Sequence, residues 1–489
     1  MSEHATFVKR IALVGIAQFI TGSRGLFLLP ILAKTLGPAG YGIWSQILIT
    51  IGFLVPFATL NLSLAMVRFL SAEKIKENTA KGIFTVVFST LLVGAVLGLI
   101  LFLFSGPFAT VLLRDPSASL FIKIASVLLI LEALNQTCLE PFRMFGHIKK
   151  YSILTVLQTV LEIILVLFLV LSGFGLLGAL IAFCAVRVII LSFSLSFIVF
   201  HAGFSLPDFS ILRPYLVFAL PFIPAGLLDT FVASSDRYVI GFFKGASMVG
   251  IYSAAYNIAF IAGIFVFPIC YILTPTIFKL FDEKAISKVK DYLFYSLKYF
   301  FFFAIPSAFG ITVMARSVLD ALTTAEFTSL TTIFVVLLVS LSAIIYGVLT
   351  ISGEILMMFK DTKFFIIAFG AGAVVNLGLN IIFVPYFGII AAAAITLISY
   401  SLAAVIICWR SSKYMKFDFD FLFVVKSIVA SSLMTVAIYV FNPIGIKEIL
   451  LSIGVGIIIY SGILFSLKGF EKKELEVIGQ ILKLNKANL

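Results

Sequence analysis

The chain alternates long apolar runs with short polar breaks. Runs of about twenty residues rich in Leu, Ile, Val and Phe are separated by clusters of Lys, Arg, Pro, Gly and Asp, and each run is long enough to cross roughly 30 Å of hydrocarbon as a helix. Fourteen spans are read: 11–34, 42–67, 82–104, 119–142, 152–172, 176–200, 214–236, 250–277, 292–314, 328–354, 364–384, 388–409, 421–441 and 446–467. Runs of this length separated by short charged breaks predict an all-α polytopic membrane protein.

The breaks repeat. Residues 37–45, GPAGYGIWS, align without a gap on 245–253, GASMVGIYS, at a spacing of 208. Met144-Phe145 with Lys149 aligns on Met358-Phe359 with Lys363 at 214, and Phe174-Gly175 on Phe387-Gly388 at 213. Three matches in one order at nearly one spacing place span 1 on span 7 and spans 4–6 on spans 10–12. Six spans per repeat is an even number, so the halves share one orientation. The expected organisation is an N-lobe at 1–201, a C-lobe at 202–412, and two further spans with a basic tail at 413–489. Parallel repeats of this kind belong to transporters, with a cavity between the halves. Corresponding spans are also interrupted: Gly22, Gly25 and Pro30 in span 1 against Pro214, Pro221, Pro224 and Gly226 in span 7, and Pro56 in span 2 against Pro268 in span 8. Broken helices in equivalent positions point to the moving parts and the binding site.

Composition agrees. Hydrophobic residues make up 62% of the 489 and charged residues 12%, half the share of a soluble domain. The net charge of +12 resides in no soluble basic domain, which excludes a nucleic-acid partner and leaves topogenic charge. With the N-terminus inside, 25 Lys and Arg fall on the inner side and 6 on the outer. Both termini are therefore expected in the cytoplasm, in a plasma or inner membrane. The basic start, MSEHATFVKR, is read as the flank of an uncleaved first helix. Four scattered cysteines inside spans indicate neither a disulfide framework nor a metal site. Nucleotide motifs are absent, and the three histidines fall outside the spans, so energy is expected from an ion gradient, the membrane potential or removal of product.

A few charges lie deep. Arg24 sits mid-span, roughly 15–20 Å from either surface at the rise of a helix. Such a cation must face protein or water, and so calls for a function. Arg187 is mid-span 6, and Glu132 and Glu162 are near the middle of spans 4 and 5. These groups pair with one another, or they set the charge of a cavity. Asp229 lies midway along span 7, opposite the repeat position of span 1.

Residues 31–45, ILAKTLGPAGYGIWS, and 236–256, DRYVIGFFKGASMVGIYSAAY, resemble the outer turns of the Wzx-type polysaccharide flippases of the multidrug/oligosaccharidyl-lipid/polysaccharide (MOP) exporter superfamily. The resemblance implies two six-helix lobes around a central cavity, and movement of a lipid-linked oligosaccharide from the inner to the outer leaflet by alternating access. Such a cavity needs cations for phosphate, and arginine's planar fork suits phosphate best. Arg24 is the expected anchor, with Arg187, Gln18, Gln46, Asn61 and Asn257 as candidate substrate contacts and Asn135, Gln136, Gln158, Asn376 and Asn380 as further candidate sugar contacts, most of these amides being expected to form interhelical hydrogen bonds instead. Asp229, Glu132 and Glu162 are read as a charge relay for H+ or Na+ coupling, and Arg68, Asp236, Arg237 and Glu354 as gate or interfacial residues. No cofactor is expected. The expected partners are membrane lipids, the lipid-linked oligosaccharide and other glycan-assembly proteins, with the chain itself monomeric. A multidrug or organic-cation exporter of the same superfamily is the alternative. An enzyme is not expected, because no outer loop exceeds about fourteen residues.

Overall fold

The computed structural model describes residues 20–70, 75–416 and 419–470, with Gly15, Ala17 and Glu474. Among them the chain is helical throughout, with no strand. Eleven of its helices are long and apolar enough to cross a bilayer. The expected spans map onto fewer helices for physical reasons. Spans 1 and 2 form one helical run, Ile20–Thr59, and spans 5 and 6 another, Ile148–Ala202. Span 7 is a helix with four charged residues, Asp229, Asp236, Arg237 and Lys244, too many for an apolar segment.

In chain order the helices are α1 (Arg24–Thr59), α2 (Leu62–Leu70), α3 (Lys76–Leu103), α4 (Ala118–Met144), α5 (Ile148–Leu169), α6 (Gly175–Ala202), α7 (Leu212–Ala219) and α8 (Ile223–Lys244). There follow α9 (Ala246–Ala259), α10 (Val266–Asp282), α11 (Ile286–Val313), α12 (Ala315–Leu322), α13 (Leu330–Met358), α14 (Lys363–Phe387), α15 (Ile389–Tyr414), α16 (Phe421–Phe441) and α17 (Ile446–Ser466). The chain divides into two compact units. The first runs to Asn257 and adds Leu322–Phe327 and Thr362–Ala403; the second takes Ile258–Ala321, Thr328–Asp361 and Ala404 onward.

The first unit shows the repeat as conformation. Gly37 bends α1 at φ 66°, and its counterpart Gly245 separates α8 from α9 at φ 81°. Gly175 and Gly388 share φ/ψ of 53°/−138° and 61°/−140°. Phe145 (φ −80°, ψ 5°) has its equivalent Phe359 (φ −86°, ψ 5°) in the second unit. The four glycines take positive φ where one helix gives way to the next, a region glycine adopts without strain. The two copies of the motif, 37–45 and 245–253, also touch: a Cβ on Gly42 would strike the Ala246 carbonyl, and one on Gly250 would strike the Pro38 carbonyl. Side chains are excluded there because backbone packs on backbone. A similar close approach at Gly98, where a Cβ would lie 3.0 Å from the Ser126 carbonyl oxygen, lets α3 lie tightly on α4.

In the second unit α11 is the central post, packing against α10, α13 and α16. Lys298 of α11 is one of the 25 Lys and Arg expected on the inner side. It is buried, with Nζ 2.7 Å from Glu474 and 3.6 Å from Asp420. Phe423 lies under its ammonium group at 5.1 Å. His201 likewise belongs to the last turn of α6 rather than to a loop, its Nδ1 2.9 Å from the Phe197 carbonyl.

Candidate functional site

The first unit contains a cavity of about 370 Å³ walled by α1, α4, α5 and α6. Helical spacing builds it. On α4, Glu132, Asn135, Gln136 and Leu139 share one face; on α5, Gln158 precedes Glu162 by one turn; on α6, Phe183 precedes Arg187 by one turn. Arg24 enters just after the helical run is broken by a turn at Ser23, as the glycines around it imply. Leu48, Ile51, Gly52 and Val55 of α1 supply the apolar wall.

Four charges form a single chain across it. Arg24 Nη1 donates to Glu162 Oε2 at 2.7 Å. Arg187 Nη1 donates to the other oxygen of Glu162, and Arg187 Nε donates to Glu132. Glu162 is therefore clamped between two guanidiniums. The side chains of Glu162 and Arg187 are 0% and 2% exposed, while Arg24 and Glu132 retain 29% and 32%. The Phe183 ring lies 5.1 Å from the Arg24 guanidinium and 5.6 Å from that of Arg187, a cation–π platform for both. Trp44 fixes that ring edge-on at 4.8 Å. Two cations and two carboxylates leave the cluster neutral, which is how charge is retained in a membrane interior. Asn135 donates to Gln158 at 3.1 Å, adding polar groups to the same wall. This arrangement offers an anionic, hydroxyl-bearing group a pair of arginines and a row of amides.

The remaining expected site residues lie elsewhere. Asp236 and Arg237 of α8 are buried, so neither side chain is at a surface. Asp236 accepts from Tyr252 and, at 3.3 Å, from Thr396. Arg237 donates to the Ala233 carbonyl at 2.6 Å, lies 3.2 Å from Asp236 and stacks 4.1 Å from the Tyr256 ring. Beside this pair, Ser235 donates to Asn376 at 2.8 Å and Asn380 donates to the Asn376 carbonyl at 2.7 Å. Asn257 donates to Tyr41 at 3.0 Å, and Asn61 sits in the left-handed break after α1, following Pro56. Gln46 is buried, Asp229 is half-buried on α8, and Arg68 is exposed on α2; none of the three lines the cavity. Glu354 is buried on α13 of the second unit. Gln18 lies outside the described residues. A larger hollow of about 720 Å³ beside α7 is walled mainly by Leu212, Leu216, Val217 and Pro221, and no expected site residue reaches it.

Sequence reasoning singled out all four charged members of the chain but missed Phe183 and Trp44. Phe183 is one of 53 phenylalanines, and only its position one turn before Arg187 distinguishes it.

Residues 7–281, more than half of the chain, match the family model described as polysaccharide biosynthesis protein. The chain belongs to the polysaccharide biosynthesis protein family. Two curated proteins of Haloferax volcanii are similar over about half of their own length. "Probable low-salt glycan biosynthesis flippase Agl15" is 23% identical over 261 residues, covering 53% of this chain and 55% of that protein. "Probable flippase AglR" is 27% identical over 259 residues, covering 50% and 53%. Among solved structures, the lipid II flippase MurJ in an inward closed conformation superposes with a TM-score of 0.77 at 18% identity, covering 94% of this chain and 99% of that one. An inward-facing multidrug resistance MATE family transporter of the MOP superfamily gives 0.66 at 19% identity, covering 83% and 98%. The family thus has here the MurJ- and MATE-like fold of a multi-pass membrane protein, and the curated proteins it resembles are named as flippases, not as enzymes.

Proposed function

We propose that this protein is a flippase that moves a polyprenyl-phosphate- or pyrophosphate-linked oligosaccharide from the inner to the outer leaflet for cell-surface glycan synthesis. One observation carries the reading: a polar cavity inside a membrane protein presents two arginines and three amide side chains to one space. In that reading Arg24 anchors the phosphate, Arg187 assists it, and Asn135, Gln136 and Gln158 meet sugar hydroxyls. The apolar tail stays in lipid, so only the head group needs shelter from hydrocarbon. The names of the curated relatives support a glycan cargo. The duplicated architecture supports alternating access of the 1–201 and 202–412 halves in a cell membrane, with both termini cytoplasmic. Asp229, half-buried on α8, is the proposed site of H+ or Na+ coupling.

The test is a leaflet-resolved assay of lipid-linked oligosaccharide in proteoliposomes, with uptake of an organic cation measured in parallel. Movement of the lipid-linked glycan without cation uptake is expected. Cation uptake without glycan movement would replace this reading with a multidrug exporter, whose cavity would need net negative charge that this one lacks. Exchanging pH and sodium gradients for wild type and Asp229→Asn identifies the coupling ion.

A further inference from the structure

The two carboxylates of the charge chain are not equivalent. Glu162 is sealed, with both oxygens engaged by arginines from α1 and α6. Glu132 is hydrogen-bonded to Arg187, feels the charge of Arg24 without such a contact, and keeps a third of its side chain open to the cavity. We infer that Glu132 is a displaceable counter-ion: an incoming head-group phosphate takes its place on Arg187, while Glu162 stays as the fixed bridge that aims Arg24 and Arg187 at one point. The inference rests on the reading of this cavity as a head-group site.

The chemistry of the exchange is balanced. Carboxylate and phosphate both present oxygen pairs that fit a guanidinium fork, so the donors released by Glu132 are taken up again by phosphate. The arginines are never left bare in a low-dielectric site, which would be the costly state. Neutrality also sets specificity. A cluster of two cations and two anions exerts little long-range pull on free anions, and a phosphate that enters must displace a carboxylate already in place. Free phosphate or pyrophosphate brings only its charge to that competition. A lipid-attached head group brings the binding energy of its chain and sugars as well. Glu132 is thereby a filter that admits a phosphate carried on a lipid and turns away the free ion, and it returns to Arg187 to help release the product.

Binding of two probes to the full-length protein in lipid nanodiscs tests this: a long-chain polyprenyl phosphate and inorganic pyrophosphate. Wild type should bind the first and not respond to the second. Glu132→Gln should bind polyprenyl phosphate about tenfold more tightly, from removal of one competing charge, and should gain binding of pyrophosphate. Glu132→Asp should restore wild-type behaviour. Glu162→Gln should weaken polyprenyl phosphate binding, because the arginines lose their bridge. If Glu132→Gln and Glu162→Gln tighten binding equally, bulk charge rather than exchange sets affinity and the inference fails. It fails too if wild type binds polyprenyl phosphate and Glu132→Gln binds it no better. Should wild type bind no polyprenyl phosphate at all, the head-group reading falls and this inference with it.

Discussion

Two helices related by the internal repeat, α1 and α8, each carry an arginine into the interior, and the two arginines are housed differently. Arg237 of α8 is enclosed by its neighbour Asp236, by the Tyr252 and Tyr256 rings and by the carbonyl of Ala233. Asp236 in turn is held by Tyr252 and Thr396. Both side chains are enclosed, with exposures of 6% and 0%. Arg24 of α1 has a hydrogen bond to Glu162, the more distant charge of Glu132, one ring face and a cavity. The difference teaches where a membrane charge is structural and where it is available. A sealed pair ties helices together; a pair with one open edge can exchange a partner for a ligand.

The largest effect that separates the two regions should come from removing one half of the sealed pair. Arg237→Ala leaves Asp236 buried with two hydroxyl donors and the backbone N–H of residue 237 but no cation, and breaking such a pair costs about 3–5 kcal/mol. The variant should lose most of its monodisperse peak in size-exclusion chromatography. A variant that elutes and melts like wild type would show that α8 does not depend on the pair, and the contrast with Arg24 would collapse.

A smaller effect is expected where the two copies of the 37–45 motif meet. Gly250→Ala forces a methyl group toward the Pro38 carbonyl and to within 2.9 Å of the Gly42 nitrogen, and backbone on both sides cannot turn aside. Overpacking of this kind costs about 1–3 kcal/mol. The melting midpoint should fall by several degrees, while Gly454→Ala, which meets nothing within 4 Å, should leave it unchanged. Equal midpoints for the two variants would mean that the motif contact yields.

The contrast between α1 and α8 was half legible in the sequence. Hydrophobic run lengths gave the class of fold, and the repeat located Gly37, Gly245, Gly175 and Gly388, which do adopt matching backbone conformations. Arg24, Glu132, Glu162 and Arg187 stood out because charge is rare in such runs. Who pairs with whom was not legible: the Arg24–Glu162 contact spans 138 positions, and periodicity fixes a helix face but not the helix it meets. Asp236 and Arg237 look like an end-of-span pair in one dimension. Their burial comes from Tyr252 and Tyr256, a helix later, and from Thr396, 160 residues away. The burial of Lys298 was not legible for the same reason, since its partners Asp420 and Glu474 arrive from the far end of the chain.

In the proposed function the open cluster, and not merely an intact fold, moves the substrate. The most direct measurement is the flipping rate of lipid-linked oligosaccharide per correctly folded molecule for Arg24→Ala against wild type, in the same proteoliposomes. Glu162 keeps its bond to Arg187 in that variant, so the protein should fold and reconstitute. The rate should drop at least about tenfold, the loss expected when a charge-assisted phosphate contact is removed. Folded Arg24→Ala protein that flips at the wild-type rate would contradict the account.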